Sequence, residues 1–324
     1  MARFLHVANG GCTTDLIRQA GLPGSRSIWA DVLYDGPVPA DLNDDQLLDL
    51  RARHLASSDE QVPAVAADLR GWRSALIDPS HEEIVLWYEH DLFDQLNVIQ
   101  LLDWIARHAI STPITLICVG SFPGRPRFKG LGELTPSELG SLFNTRQPIQ
   151  DAQYALATLA WAAFRATDPH ATEALLDGET GALPYLARAL RRLLQELPWV
   201  TDGLTRSERR LLELASSGPL AVHSAFPLMS EGEDAYYITD GSLRQMLDDF
   251  AAAPSPLIDV VGTFDDRTLP DATITMTDGG RAVLAGQADR IRLRGIDRWL
   301  GGIRLEGTGP MWRWDDARGR SVRL

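Results

Sequence analysis

Four short apolar runs in the first 120 residues, separated by stretches of helical pattern, constrain this chain more than any other feature. "RFLHVANGG" reads as a first strand and "SIWADVLYDGPVP" as a second that runs into a turn, while "EEIVLWYEHD" and "PITLICVG" are continuous enough to be buried on both faces. Between them lie "TTDLIRQAGLPG", a helix stopped by Gly21, Pro23 and Gly24, and helical stretches over 44–56, 66–77 and 92–108. Apolar runs of strand length alternating with helices are what a parallel sheet requires, because each strand must be followed by a crossover that covers a face. The expected fold class is therefore α/β, with a Rossmann-like parallel sheet in residues 1–125.

The rest of the chain reads differently. Residues 126–202 form an expected helical connector: a Gly/Pro-rich passage, a helix start at Thr135-Pro136-Ser137-Glu138, then helical pattern over 152–196. Residues 203–324 form an expected winged-helix-like α+β domain with an Arg-rich C-terminal tail. Thr205 and Glu208 have capping-box spacing, and Gly218 ends that helix. After a second helix, "TDGSLRQMLDDFAAAP" supplies a third, "PLIDVVG" and "ATITMTD" supply a hairpin, and "GGRAVLAG" closes the module.

Composition sets limits on function. At 324 residues the chain exceeds the roughly 100 to 200 residues of one domain. No apolar run approaches the roughly 20 residues of a membrane-spanning helix, so no membrane partner is expected. "MARFLHVANGG" is too short in its apolar part for a signal peptide, and a cytoplasmic location is expected. Cys12 and Cys118 each stand alone, which predicts neither a disulfide framework nor a zinc site. A net charge of −13 argues against broad attraction to nucleic acid, although the tail from Arg281 onward holds ten arginines against five acids. Such a charge run is ordinarily a solvated face.

In a parallel sheet the ligand edge lies outside the carboxyl ends of the strands. Four such ends carry polar residues: Asn9 to Thr13, Asp31, Glu89 to Asp94, and Gly120 to Arg125. In the first loop Asn9, Gly10, Gly11, Cys12 and Thr13 are expected ligand-binding residues. The two glycines allow close approach, and the helix that follows offers free N–H groups to a phosphate or carboxylate. A tight turn without a ligand explains the glycines equally well, and without GxGxxG or GxxxxGK[ST] spacing the cofactor is unknown. Arg125, with Arg127 and Lys129, is placed either to close over an anion or simply to face solvent.

"VLWYEHDLFDQL" carries the sharper signal. Glu89 and His90, with Asp31 from a neighbouring strand end, are the expected catalytic set, and Glu89, Asp91 and Asp94 are candidate metal ligands. The competing account has Asp91 capping the helix that begins at Leu92, Asp94 favouring its positive end and His90 as a satisfied boundary histidine, which leaves Glu89 without a structural role. His6 and the tryptophans at 29, 87, 104 and 161 are expected in the core.

These blocks also carry a family resemblance. "LHVANGG", "WADVLYDGPVP" and "VLWYEHDLFDQLNVIQLLDW" resemble the N-terminal signature of the bacterial family called domain of unknown function 1835 (DUF1835). "LGELTPSEL", "GLTRSERRLLE" and "GIDRWLGG" resemble its longer members. The resemblance covers nearly the whole chain and implies an α/β domain of unassigned activity. It is imperfect: the family's first loop is closer to NGDS where this chain has Asn9-Gly10-Gly11-Cys12, arginine is usual where it has Ala30, and histidine is frequent where it has Tyr34. If those polar positions serve chemistry, the departures imply a member that binds without turnover, whereas Glu89, His90, Asp91, Asp94 and Gln95 match.

Two functional readings follow. In the first, an anionic small molecule such as a nucleotide is held at Gly10 and Gly11, with Glu89 or His90 as acid/base in a hydrolytic or transfer reaction. In the second, the α/β domain senses a ligand and the winged helix is the output, contacting a protein partner. DNA is disfavoured there because Arg244 and Gln245 are set against Asp240, Asp248 and Asp249.

Overall fold

The computed structural model describes residues 3–263 and 271–324. It divides into two compact units, residues 1–190 with 301–303, and residues 191–300 with 304–324. The stretch 126–190, expected as part of a connector, is counted with the first unit.

The first unit is an α/β fold. Strands β1 (Phe4–Ala8), β2 (Ser25–Ile28), β3 (Glu83–Glu89) and β4 (Ile114–Val119) run parallel, and a two-residue β5 (Gln147–Pro148) pairs antiparallel with β4. The order is β2-β1-β3-β4-β5. The helices are α1 (Gly11–Gln19), α2 (Asp44–Leu55), α3 (Val62–Ile77), α4 (Leu92–Arg107), α5 (Pro136–Leu142), α6 (Asp151–Phe164) and α7 (His170–Leu176).

The centre of the sheet explains its own sequence. Ile84, Val85, Leu86, Trp87 and Tyr88 of β3 are all fully buried, as a strand covered on both faces demands. At about 1.5–3 kcal/mol for each large apolar side chain removed from water, β3 is a main anchor of the unit. His6 of β1 is equally buried; its Nε2 lies 3.1 Å from the Pro23 carbonyl, and its Nδ1 accepts the Trp87 indole N–H at 3.1 Å.

The second strand is shorter than expected. The Trp29 N–H still donates to the Ala8 carbonyl at 3.0 Å, but the chain then leaves the sheet. Asp31 is the reason: its buried carboxylate faces Arg51 of α2 and its backbone pairs with the Asn97 side chain of α4. A buried carboxylate must have such partners, and they lie off the sheet. Farther along, Trp161 and Phe164 of α6 are buried, and α6 packs on α4.

The second unit contains the last four residues of α8 (Leu186–Leu194), then α9 (Arg206–Ala215), β6 (Leu220–Ala221), α10 (Val222–Met229), α11 (Asp240–Ala251), β7 (Ile258–Thr263), β8 (Asp271–Met276) and α12 (Asp278–Leu284). The connection between β7 and β8 lies outside the described residues. Strands β6, β8 and β7 form an antiparallel sheet in that order, packed with the helices around Leu211, Leu212, Leu243, Leu247, Phe250 and Ile274. The Thr205–Glu208 capping box is present, and Thr239 caps α11. A short α13 (Arg290–Arg294) follows, then β9 (Ile296–Leu300) beside β10 (Ile303–Gly307), and β11 (Trp312–Asp315) beside β12 (Arg320–Arg323).

Candidate functional site

In the strand order 2-1-3-4, the chain passes outward from β1 to β2 and then back across β1 to β3. The direction of winding therefore changes between β1 and β3, and crevices at such switch points are where doubly wound sheets take their ligands. Asn9 follows β1 there, and Glu89 ends β3 beside it.

The two ends are tied by one side-chain amide. Asn9 Nδ2 donates to Glu89 Oε1 and to Asp94 Oδ2, each at 3.0 Å, and Asn9 Oδ1 accepts the Thr13 hydroxyl at 2.7 Å. The same Asp94 oxygen accepts the Glu89 backbone N–H. Glu89 Oε1 also accepts the Leu131 N–H, and the carboxylate lies against Gly130 so closely that a Cβ there would clash with Oε2. Gly130 thus admits the carboxylate by having no side chain. Gln95 Nε2 and the Cys118 thiol both donate to the Glu89 carbonyl, at 2.7 and 3.3 Å.

Asp91 caps α4, accepting the Asp94 N–H at 2.9 Å, as one sequence account proposed. Glu89, which that account left idle, in fact holds Asn9 and the 130–131 backbone in place. It combines a structural role with an unusual electrostatic one. Burial, and then the nearby Asp91 charge, push Glu89 up to about 7. Burial likewise raises Asp91 to about 6, against the opposing N–H donors of α4. Asp94 is raised furthest, by burial and by the charges of Glu89 and Asp91, and its buried Oδ1 has no hydrogen-bond partner among the described residues. With its value near 7, the Glu89 carboxyl is close to half-ionised at neutral pH.

The remaining expected residues separate. His90 is buried, with its ring 6.5 Å from Phe128 and 6.1 Å from Tyr185. Asp31 does not join the carboxylates: its Oδ1 meets Arg51 Nη2 at 2.7 Å and its Oδ2 meets Arg51 Nε at 2.9 Å, both side chains buried in one ion pair. Arg125 pairs with Glu138 at 2.8 Å, and Glu138 also closes the α5 capping box. That arginine is thus tied to the first turn of α5.

The first loop keeps its expected openness. Gly10 precedes α1 without a side-chain cap, α1 has no acid in its first turn, and a Cβ on Gly10 or Gly11 would touch nothing within 4 Å. The Thr14 N–H is bonded to the Gly10 carbonyl, so the N–H groups of Gly11, Cys12 and Thr13 precede the first bonded turn. Cys12 is exposed and Thr13 is buried through its bond to Asn9.

The metal expectation fares less well. Among the described residues no group of three or more His, Cys, Asp or Glu is arranged to hold a metal ion. Asp91 Oδ1 is taken by the α4 cap, Asp94 Oδ2 by Asn9 and a backbone N–H, and Glu89 Oε1 by Asn9 and Leu131. Gln95, Cys118 and Gly130, which complete the setting of Glu89, were not among the expected site residues. The glycines of "FKGLGEL" were the available signal, since a buried glycine marks a close approach.

Several arginines of the tail are paired within the chain. Arg290 meets Asp249 and Glu208, Arg313 meets Asp289, and Arg304 meets Asp297 and Glu306. No helix among the described residues is long and apolar enough to cross a membrane. A scan against protein-family models finds no match to this chain, and a search of curated proteins finds none.

Proposed function

We propose that the first unit is a Rossmann-like, small-molecule-binding domain whose ligand sits at the β1/β3 switch point, with Glu89 as the acid/base of a hydrolytic or transfer reaction. The observation that carries this reading is the Asn9 amide held between Glu89 and Asp94 where the two parallel strands end. A carboxyl poised near neutrality can give or take a proton without a large driving force against it. The open N-terminus of α1 supports an anionic ligand such as a nucleotide phosphate. The raised Glu89 carboxyl fits that ligand, because in its protonated form it does not repel an anion.

The test is melting temperature against added nucleoside mono-, di- and triphosphates at pH 6 and pH 8. A rise is expected, larger at pH 6 where Glu89 is neutral, and it should vanish in Gly11→Asp. That variant has open space and adds an acid to a helix first turn, so it should fold at least as well as the parent while repelling an anion. No nucleotide response in the parent at either pH would defeat the reading. The sequence blocks named above also support membership of the DUF1835 family, as one of its longer members.

A second reading rests on the second unit. The strand order β6-β8-β7, with α9, α10 and α11 before the hairpin and α12 after it, supports a winged helix and hence a ligand-sensing regulatory protein. On α11 the exposed residues include Asp240, Gln245 and Asp248, which favours a protein partner over DNA because carboxylates oppose the counterion-release term. Fluorescence anisotropy with duplex DNA at several salt concentrations is expected to show no tight, salt-sensitive binding; such binding would overturn the protein-partner reading.

A further inference from the structure

The opposite end of α4 carries a second cluster that the sheet-edge site does not use. A cavity of about 560 Å³ opens in the first unit among Arg73 of α3, Trp104, Arg107 and His108 at the end of α4, Arg165 after α6, and Asp44 at the start of α2. Across the 16 residues of α4 this lies about 24 Å along the helix axis from the Asp91 cap.

Three guanidinium groups line one cavity, and their pairing is incomplete. Arg107 is satisfied: it takes the Asp44 carboxylate through two bonds of 2.8 and 2.9 Å, and reaches Asp103 behind it at 2.8 Å. Among the described residues Arg73 meets the Asp44 carbonyl, at 2.8 Å, and the side chain of Asp45, which is 93% exposed and 3.3 Å away. Arg165 donates to the Pro39 and Leu42 carbonyls and has no carboxylate partner among the described residues. Backbone carbonyls orient these two cations, and the Asp44 and Asp45 carboxylates nearby offset part of their charge. Burial lowers the pKa of both, which is the cost of holding charge away from water.

Trp104 completes the wall. It is buried, its indole N–H has no partner among the described residues, and His108 stacks on its ring at 4.0 Å. The Trp104 ring thus forms one wall of the cavity beside these two guanidiniums. Planar guanidinium donors match the oxygens of a phosphate group, and several in one cavity bind it more tightly than one.

We propose that this cavity is an anion site for the phosphate group of a small molecule, held by Arg73, Arg107 and Arg165 beside the Trp104 ring. The proposal is independent of the sheet-edge reading, whose residues lie at the other end of α4.

Inorganic phosphate is the probe, with potassium chloride at matched ionic strength as the reference. Phosphate is expected to raise the melting temperature of the full chain beyond chloride and to shift the Trp104 indole N–H resonance, identified by its loss in Trp104→Phe. Arg73→Gln and Arg107→Gln should each weaken phosphate binding at least tenfold. Arg70→Gln, which removes only an exposed pair with Asp49, should leave it unchanged. The indole measurement on the parent stands even where an arginine variant folds poorly. An unmoved Trp104 indole, a phosphate effect no larger than that of chloride, or a response that survives both arginine variants would overturn the proposal. None of these results would touch the nucleotide response lost in Gly11→Asp.

Discussion

Asn9 and Glu89, 80 residues apart in the chain, meet at 3.0 Å where β1 and β3 end side by side. The contact places an amide donor against a carboxyl that burial and Asp91 hold up near 7, so a hydrogen bond that favours the charged form is outweighed by lost hydration. The local arrangement is therefore pH-sensitive in a defined direction.

Glu89 has a folded-state pKa above its ordinary value of 4.5, so its contribution to stability is fully present below about pH 4.5 and is lost as pH rises through about 7. Glu89→Gln retains an oxygen to accept from Asn9 and Leu131 and removes the ionisation. The variant is expected to match the parent at pH 5 and to exceed it by about 2 kcal/mol at pH 8, order of magnitude, from the removed pKa shift. Urea unfolding at the two pH values checks this. A variant less stable than the parent at both would show that the carboxylate is needed as an acceptor.

His6 should act in the opposite sense. Burial lowers its pKa below 6.5, and its ring accepts the Trp87 indole N–H, a bond that only neutral imidazole can make. Its stabilisation is present above about pH 6.5 and is lost as pH falls through the lowered folded value. His6→Leu is expected to cost about 1–3 kcal/mol at pH 8 by leaving the indole N–H and the Pro23 carbonyl unmatched, and to flatten the acid limb of the stability profile. An unchanged acid limb would point to other groups as its source.

Asp31 and Arg51 form a buried two-point ion pair, and removing one partner strands the other. Asp31→Ala is expected to destabilise by about 3–5 kcal/mol, with Arg51→Met added to it recovering much of the loss. Chemical denaturation of the two variants decides the matter. A stable Asp31→Ala protein with altered ligand binding would return Asp31 to the functional site.

How much of this was legible in the sequence depends on the range over which each residue acts. β3 and β4 were legible because a strand buried on both faces must be continuously apolar, and the Asp91 cap because capping is local to a helix start. The role of Asp31 was not, because Arg51 sits on the polar-looking helix α2 and nothing in its own neighbourhood marks it as buried. Glu89 was recognised as unusual, yet its partners Asn9 and Leu131 come from separate loops, and only the fold brings them together. The arginines of the tail looked free because the acids that pair with them, such as Asp249 and Glu208, belong to earlier helices.

Asp91 offers the most discriminating experiment, because its cap and its charge can be removed separately. Asparagine caps a helix about as well as aspartate, so Asp91→Asn should keep the bond to the Asp94 N–H while deleting the charge that raises Glu89. Asp91→Ala deletes both. The alanine variant is therefore expected to be about 1 kcal/mol less stable than the asparagine variant, the ordinary value of a lost N-cap. In both, the Glu89 carboxyl should titrate lower than in the parent, as followed by carbon NMR of its side-chain carboxyl. Equal stability of the two variants would mean that the cap contributes little. A Glu89 midpoint unmoved in both would mean that burial alone raises it, and that Asp91 serves the helix and has no part in tuning the carboxyl at the sheet edge.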